Sequence, residues 1–193
     1  MTTDQTHTHL PSVYQSTHGS VLGFTLVEAL ITLSVMTGLM AIAAPVLGNI
    51  QQRWKVQQAV SIMQSTLMFA RSEAIRRGGG IGVEKITATP HCQHADTGQQ
   101  WRCGWMVFAD TNHNGSRQLS EAKLHEVTLS GEVSVIRKKG KSFKVNRFGM
   151  VDGLNADSFL FMPIDSMDAS QAHILCMSSG GRIRILQGKT ECS

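Results

Sequence analysis

The sequence predicts an α+β chain in which one long N-terminal helix, membrane-spanning in its first half, packs on a C-terminal head of mostly antiparallel β-sheet. Three observations predict it. From Phe24 to Gly48 the only ionisable side chain is Glu28, and that run exceeds the roughly 20 apolar residues a spanning helix needs. Residues 50–77 then place Val56, Ala59, Val60, Met63, Leu67, Ala70 and Ala74 at helical spacing, the pattern of a buried stripe. Beyond Gly80 the pattern changes to short β-rich runs with no helix-length segment between them.

Taken in order, residues 1–22 hold no Lys or Arg, one acid (Asp4), and His7, His9 and His18. That leader lacks the charged start of a secretory signal, and the apolar run after it is too long for one. It also gives only a weak positive-inside bias. Glu28 lies near the start of the apolar run, where an ionised carboxylate costs on the order of 2.5–3.5 kcal/mol. A positive group at the same depth, such as a free amino terminus, would compensate for it.

The helix is expected to bend or break locally at Pro45. Arg71, Arg76 and Arg77 sit in its final turns, where the dipole favours cations, and Gly78, Gly79 and Gly80 stop it. Strands are expected at 81–88, 105–108, 124–129, 133–137, 142–145, 158–161, 174–177 and 182–186, with Gly, Asn, Asp and Ser between them. Once leader and span are set aside, enough chain remains for one domain with a core.

Cys92, Cys103, Cys176 and Cys192 all follow the apolar run. Four cysteines there suit an oxidising compartment, and Cys92–Cys103 with Cys176–Cys192 is the expected pairing of three connectivities. His91, Cys92, His94 and Cys103 have the composition of a zinc site, but thiols outside the cytoplasm usually oxidise. The segment Asp110, Asn112, Asn114, Gly115 and Glu121 has the spacing of a calcium loop. Strands rather than helices flank it, and Asn-Gly alone signals a hairpin. A structural turn is therefore expected and no cofactor, with calcium as the alternative. No nucleophile elbow, phosphate loop or paired-acid motif is present, so an enzyme is not expected.

The formal charge is +4, a balance that favours anionic partners. Arg137, Lys138, Lys139, Lys141, Lys144 and Arg147 form a basic run with no acid among them, expected to be a solvated hairpin. In Gly180-Gly181-Arg182-Ile183-Arg184-Ile185, a strand would put both arginines on one face and both isoleucines on the core. Such a pair of guanidiniums, about 7 Å apart along a strand, suits salt-dependent, sequence-blind contact with a nucleic-acid backbone. The aromatic content near them is low, so base stacking is not expected.

Gly23, Phe24, Thr25, Leu26, Val27 and Glu28 resemble the prepilin processing site of type IV pilins and type II secretion pseudopilins. The resemblance implies cleavage after Gly23 by prepilin peptidase and N-methylation of the new terminal Phe24. It also implies docking of Glu28 against the Phe24 amine of a neighbouring subunit, and Pro45 falls where many pilins also carry proline. Gly104 to Phe108, the Asp110 to Gly115 loop and Gly181 to Arg184 are similar to the GspH/FimT branch of minor pilins. That resemblance implies a pilin-like fold of four parts: leader 1–23, transmembrane and filament-core helix 24–48, amphipathic continuation 49–80, and β-rich periplasmic head 81–193. It implies a non-enzymatic subunit held in the inner membrane by a single pass before it joins a filament near the tip. Other pilins, prepilin peptidase, the membrane, and exported protein or DNA are the implied partners. Gly181, Arg182 and Arg184 also look like the GRxR motif with which FimT proteins bind DNA during natural transformation. Lys138, Lys139 and Lys141 are added to that candidate site from their charge.

Overall fold

The computed structural model describes residues 23–93, 98–152, 157–164, 168–178 and 180–192, without the side chains of 42–47 and 49. The leader, His94 and the Pro45 side chain lie outside that description. Helix α1 covers Leu26–Arg77, and its backbone is helical at Pro45, so of the bend or local break expected there the break does not occur. By contacts the chain divides into two compact units, 1–44 and 45–193.

The first unit carries the start of α1. Thr25 caps it: its Oγ1 accepts the Glu28 amide at 3.2 Å and its carbonyl accepts the Ala29 amide at 3.1 Å. Threonine followed three residues later by glutamate is the spacing of a capping box. Apolar side chains point outward all round this stretch, with Phe24 and Leu26 each 77% exposed. Among the described residues no helix is long and apolar enough to cross a membrane, the side chains of 42–47 and 49 being outside the description.

The second unit holds the rest of α1 and eight strands. The helix ends as its glycines require: the Gly79 amide reaches the Ala74 carbonyl at 2.7 Å and the Gly78 amide the Ile75 carbonyl at 3.4 Å, with both glycines at positive φ. That pair of bonds is a Schellman cap. Strands β1 (Ile81–Lys85), β2 (Gly104–Ala109), β3 (Lys123–Thr128), β4 (Val133–Arg137), β5 (Ser142–Val145), β6 (Asp157–Pro163), β7 (His173–Met177) and β8 (Ile183–Gln187) follow. All eight expected strands are present, with ends shifted by a few residues. They form two sheets rather than one, in the orders β3-β2-β1-β5 and β4-β6-β7-β8, and every pairing is antiparallel.

The core is where the helix meets both sheets. Val56, Ala59, Val60, Met63, Leu67, Ala70 and Ala74, the seven stripe residues, are all buried with Val83, Val107, Val135, Phe159 and Leu175. Burying each large apolar side chain contributes about 1.5–3 kcal/mol before entropy is counted. Trp105 is fully buried and its Nε1 donates to Thr66 Oγ1 on the helix at 3.0 Å, which keeps both polar groups satisfied. Cys92–Cys103 and Cys176–Cys192 are disulfides with Cα separations of 5.4 and 5.9 Å. With both thiols bonded, Cys92 and Cys103 have none left for zinc.

Arg137 departs from the expectation of a solvated basic hairpin. Its side chain is 4% exposed and pairs with Asp157, Nη2 lying 2.6 Å from Oδ2. Its Nη1 also donates to the carbonyls of Lys139, Gly140 and Ser142, and its guanidinium lies over the rings of Phe143 and Trp101. The physical reason is the passage between sheets. As the chain leaves β4 for β5 its carbonyls turn inward, and a buried guanidinium satisfies three of them at once. Lys138, Lys139 and Lys141 remain exposed on the turn that Arg137 holds.

Candidate functional site

Two parts of the chain carry the residues of interest. At the amino-terminal end, Gly23 has open space around it, Phe24 is exposed and Glu28 is exposed in the first turn of α1. An anion there is favoured by the partial positive charge of the helix N-terminus. Thr25, which the processing motif includes without a role of its own, orders that turn. Its Thr-x-x-Glu spacing was the available signal.

At the head, register places the basic groups at one end of the second sheet. Arg137 is level with Phe159, Leu175 and Ile185, so the 138–141 turn and the start of β8 share that end. Three strand spacings, roughly 14 Å, separate β4 from β8. Arg182 and Arg184 are both exposed while Ile183 and Ile185 pack against the core. Arg182 differs from expectation in lying just before β8. Its amide and carbonyl close a turn with Ser178, through Ser178 Oγ and the Ser178 amide, each at 3.0 Å. Lys138 Nζ is 3.6 Å from a Glu191 carboxylate oxygen, an exposed contact of the kind worth 0–1 kcal/mol.

The glycine of that turn has a structural role. Gly181 is buried at φ +79°, and a Cβ there would collide with the Arg71 guanidinium. From the helix, Arg71 donates through Nε to the Gly149 carbonyl at 2.8 Å and through Nη2 to the Gly181 carbonyl. The turn after β5 and the turn before β8, one from each sheet, are thereby tied to α1 and to each other. Phe148, next to Gly149, is 65% exposed. Against a low expected aromatic content near the arginines, Phe148 stands on the turn that Arg71 ties to theirs.

In the loop with calcium-like spacing, backbone amides occupy the carboxylates. Asp110 accepts from the amides of Asn114 and Gly115, and Glu121 from those of Thr111 and Gln118. The Gln118 amide is the main cause that holds the Glu121 carboxyl below the usual range. Asn112 and Asn114 turn their side-chain oxygens onto amides two residues ahead, the behaviour of Asx turns. Among the described residues no group of three or more His, Cys, Asp or Glu is arranged to hold a metal.

Residues 59–184 match the family described as type II transport protein GspH. The chain belongs to the GspH family. This is a family of structural minor pilins and pseudopilins of type II secretion and type IV pilus systems, and the match runs from the buried helix stripe to Arg184. Two crystal forms of the type IV minor pilin FimU from Pseudomonas aeruginosa show the same fold. The first has 18% identity and a TM-score of 0.55, covering 72% of this chain and 93% of FimU. The second has 18% identity and a TM-score of 0.52, covering 68% and 93%. No curated protein matches the chain by sequence. Within the GspH match, Arg71, Arg137, Gly149 and Phe148 shape the head's basic end, and none was singled out as a site residue beforehand.

Proposed function

We propose that this GspH-family chain is a minor pilin or pseudopilin made as a membrane precursor. Prepilin peptidase cuts it between Gly23 and Phe24, Phe24 is N-methylated, and the subunit joins a type II secretion pseudopilus or type IV pilus near its tip. Residues 24–48 serve first as a single-pass inner-membrane anchor and then as filament core. Residues 49–80 continue the helix beneath the head, and 81–193 form a periplasmic β-rich head. The observation that carries this reading is the exposed apolar start of α1 with one acid, Glu28, in its first turn. Apolar side chains exposed on every face need lipid or other helices around them. A lone carboxylate among them needs a cation, which the terminal amine of a neighbouring Phe24 supplies. Replacing Glu28 by Ala should leave the protein in the membrane but out of sheared filaments, while Glu28→Asp retains partial incorporation. Wild-type incorporation of the Ala variant would refute the docking role.

A second reading is favoured by the exposure of Arg182 and Arg184 at the sheet end shared with Lys138, Lys139 and Lys141. On this reading the subunit binds DNA for natural transformation, with the arginines on phosphates. A mobility-shift comparison of wild type with Arg182→Ala/Arg184→Ala at two salt concentrations tests it. Equal shifts for both proteins would remove the site, and no shift at low salt would remove the reading.

A further inference from the structure

Arg147, Phe148 and Arg182 stand on the two turns that Arg71 ties together. The first turn is rigid by its own bonds. Asn146 Oδ1 accepts the amides of Phe148 at 3.0 Å and Met150 at 3.1 Å, and the Asn146 carbonyl accepts the Gly149 amide at 2.8 Å. The second turn is closed by Ser178 and Arg182. Gly149 and Gly181 are buried, and the Gly149 carbonyl lies 3.5 Å from where a Cβ on Gly181 would stand. Their sequence neighbours Phe148 and Arg182 face solvent. The Arg147 guanidinium lies 5.1 Å from the Phe148 ring centroid.

A single exposed phenylalanine is ordinary. Here it is held on a fixed turn, at little cost in entropy on binding, and has guanidiniums on its own turn and on the adjoining one. Asp152 shares a shallow cavity of about 180 Å³ with Lys144 and Arg147. A flat apolar ring among cations fits a ligand that offers a π-face and a phosphate in alternation. An unpaired strand does so, because its bases are free to stack on protein aromatics while its phosphates meet basic groups. A duplex offers chiefly its phosphates.

We propose that Arg147, Phe148 and Arg182 form a binding surface for single-stranded nucleic acid. Phe148 stacks on a base, Arg147 and Arg182 meet flanking phosphates, and Arg71 is a positioning residue that holds the two turns together. This rests on the nucleic-acid reading above and extends it by naming the strandedness of the ligand and an aromatic contact.

The test uses the full chain purified in detergent and fluorescence anisotropy with a labelled oligothymidine and a duplex of equal length, each at two salt concentrations. Phe148→Ala should weaken oligothymidine binding by about 5- to 100-fold with an unchanged salt slope, and leave duplex binding as it was. Phe148→Tyr should bind like wild type. Arg182→Ala should weaken both ligands and lower the salt slope by about one. Arg71→Met should weaken the single strand more than the duplex while circular dichroism stays native; if that variant unfolds, the Phe148 pair decides. Oligothymidine binding unchanged in Phe148→Ala overturns the inference and leaves an arginine-only DNA site standing. So does equal weakening on both ligands. Wild-type binding to neither ligand at low salt overturns the inference and the reading beneath it. A Phe148→Ala protein that binds oligothymidine normally but fails to join filaments assigns the surface to a neighbouring subunit.

Discussion

Arg137 is the residue whose removal should cost the head most for a polar group. Its side chain and that of Asp157 are 4% and 3% exposed, so Arg137→Met leaves a buried carboxylate facing apolar neighbours and three turn carbonyls without their donor. Breaking a buried pair by removing one partner costs about 3–5 kcal/mol. A domain of this size has about 5–15 kcal/mol in all. With a urea m-value of about 1–3 kcal/mol/M, the midpoint of the head should fall by roughly 2 M. Urea denaturation of residues 45–193, followed by tryptophan fluorescence, reads this directly because Trp101 lies under the guanidinium. Removing both charges with Arg137→Met/Asp157→Leu should recover part of the loss, since no uncompensated ion is left. A single-mutant midpoint within about 0.3 M of wild type would refute the reasoning, as it would mean the pair is hydrated or broken in solution.

Three further outcomes follow from local geometry. Hydrogen bonds from Arg76 and then Arg77 hold the Glu73 carboxyl down to about 2. Its folded value lies below its unfolded one, so its contribution is complete above about pH 4.5 and is lost as pH falls toward 2. Glu73→Gln should therefore flatten the stability profile of the head across that window in denaturation curves, and an unchanged slope would contradict the assignment. Gly181→Ala should destabilise the head by about 1–3 kcal/mol, since its φ is +79° and a Cβ would displace Arg71; the same substitution at Gly98, which has open space, serves as the control. Cys176→Ser/Cys192→Ser opens a loop with a sequence separation of 16 and should cost about 2–4 kcal/mol, seen as a lower Tm under oxidising conditions and a smaller further drop on adding reductant, which then opens only Cys92–Cys103.

Much of the fold was legible because it depends on local periodicity. The seven apolar positions from Val56 to Ala74 repeat at helical spacing, and each strand announces itself by β-rich composition between turn residues. The pairing of strands into two sheets was not legible, because nothing near Arg137 or Ser142 says that consecutive strands belong to different layers. The same non-locality hid Arg137, which reads as one more cation in a basic run until Asp157 is brought beside it. It also hid the closeness of Gly149 to Gly181. In the Asp110 loop the chain turns as the Asn-Gly pair signals. Spacing alone could not show that backbone amides take up the carboxylate oxygens, since that depends on how the loop closes.

The central claim is that the exposed apolar helix is the product of a cut between Gly23 and Phe24. Intact-mass and N-terminal peptide measurement of the chain, expressed with and without prepilin peptidase, tests it most directly. With the peptidase, the protein should begin at Phe24, carry one added methyl group on its terminal amine, and lack residues 1–23; without it, the leader should remain. A chain that keeps its leader in the presence of active peptidase, or is cut at another bond, would contradict the account.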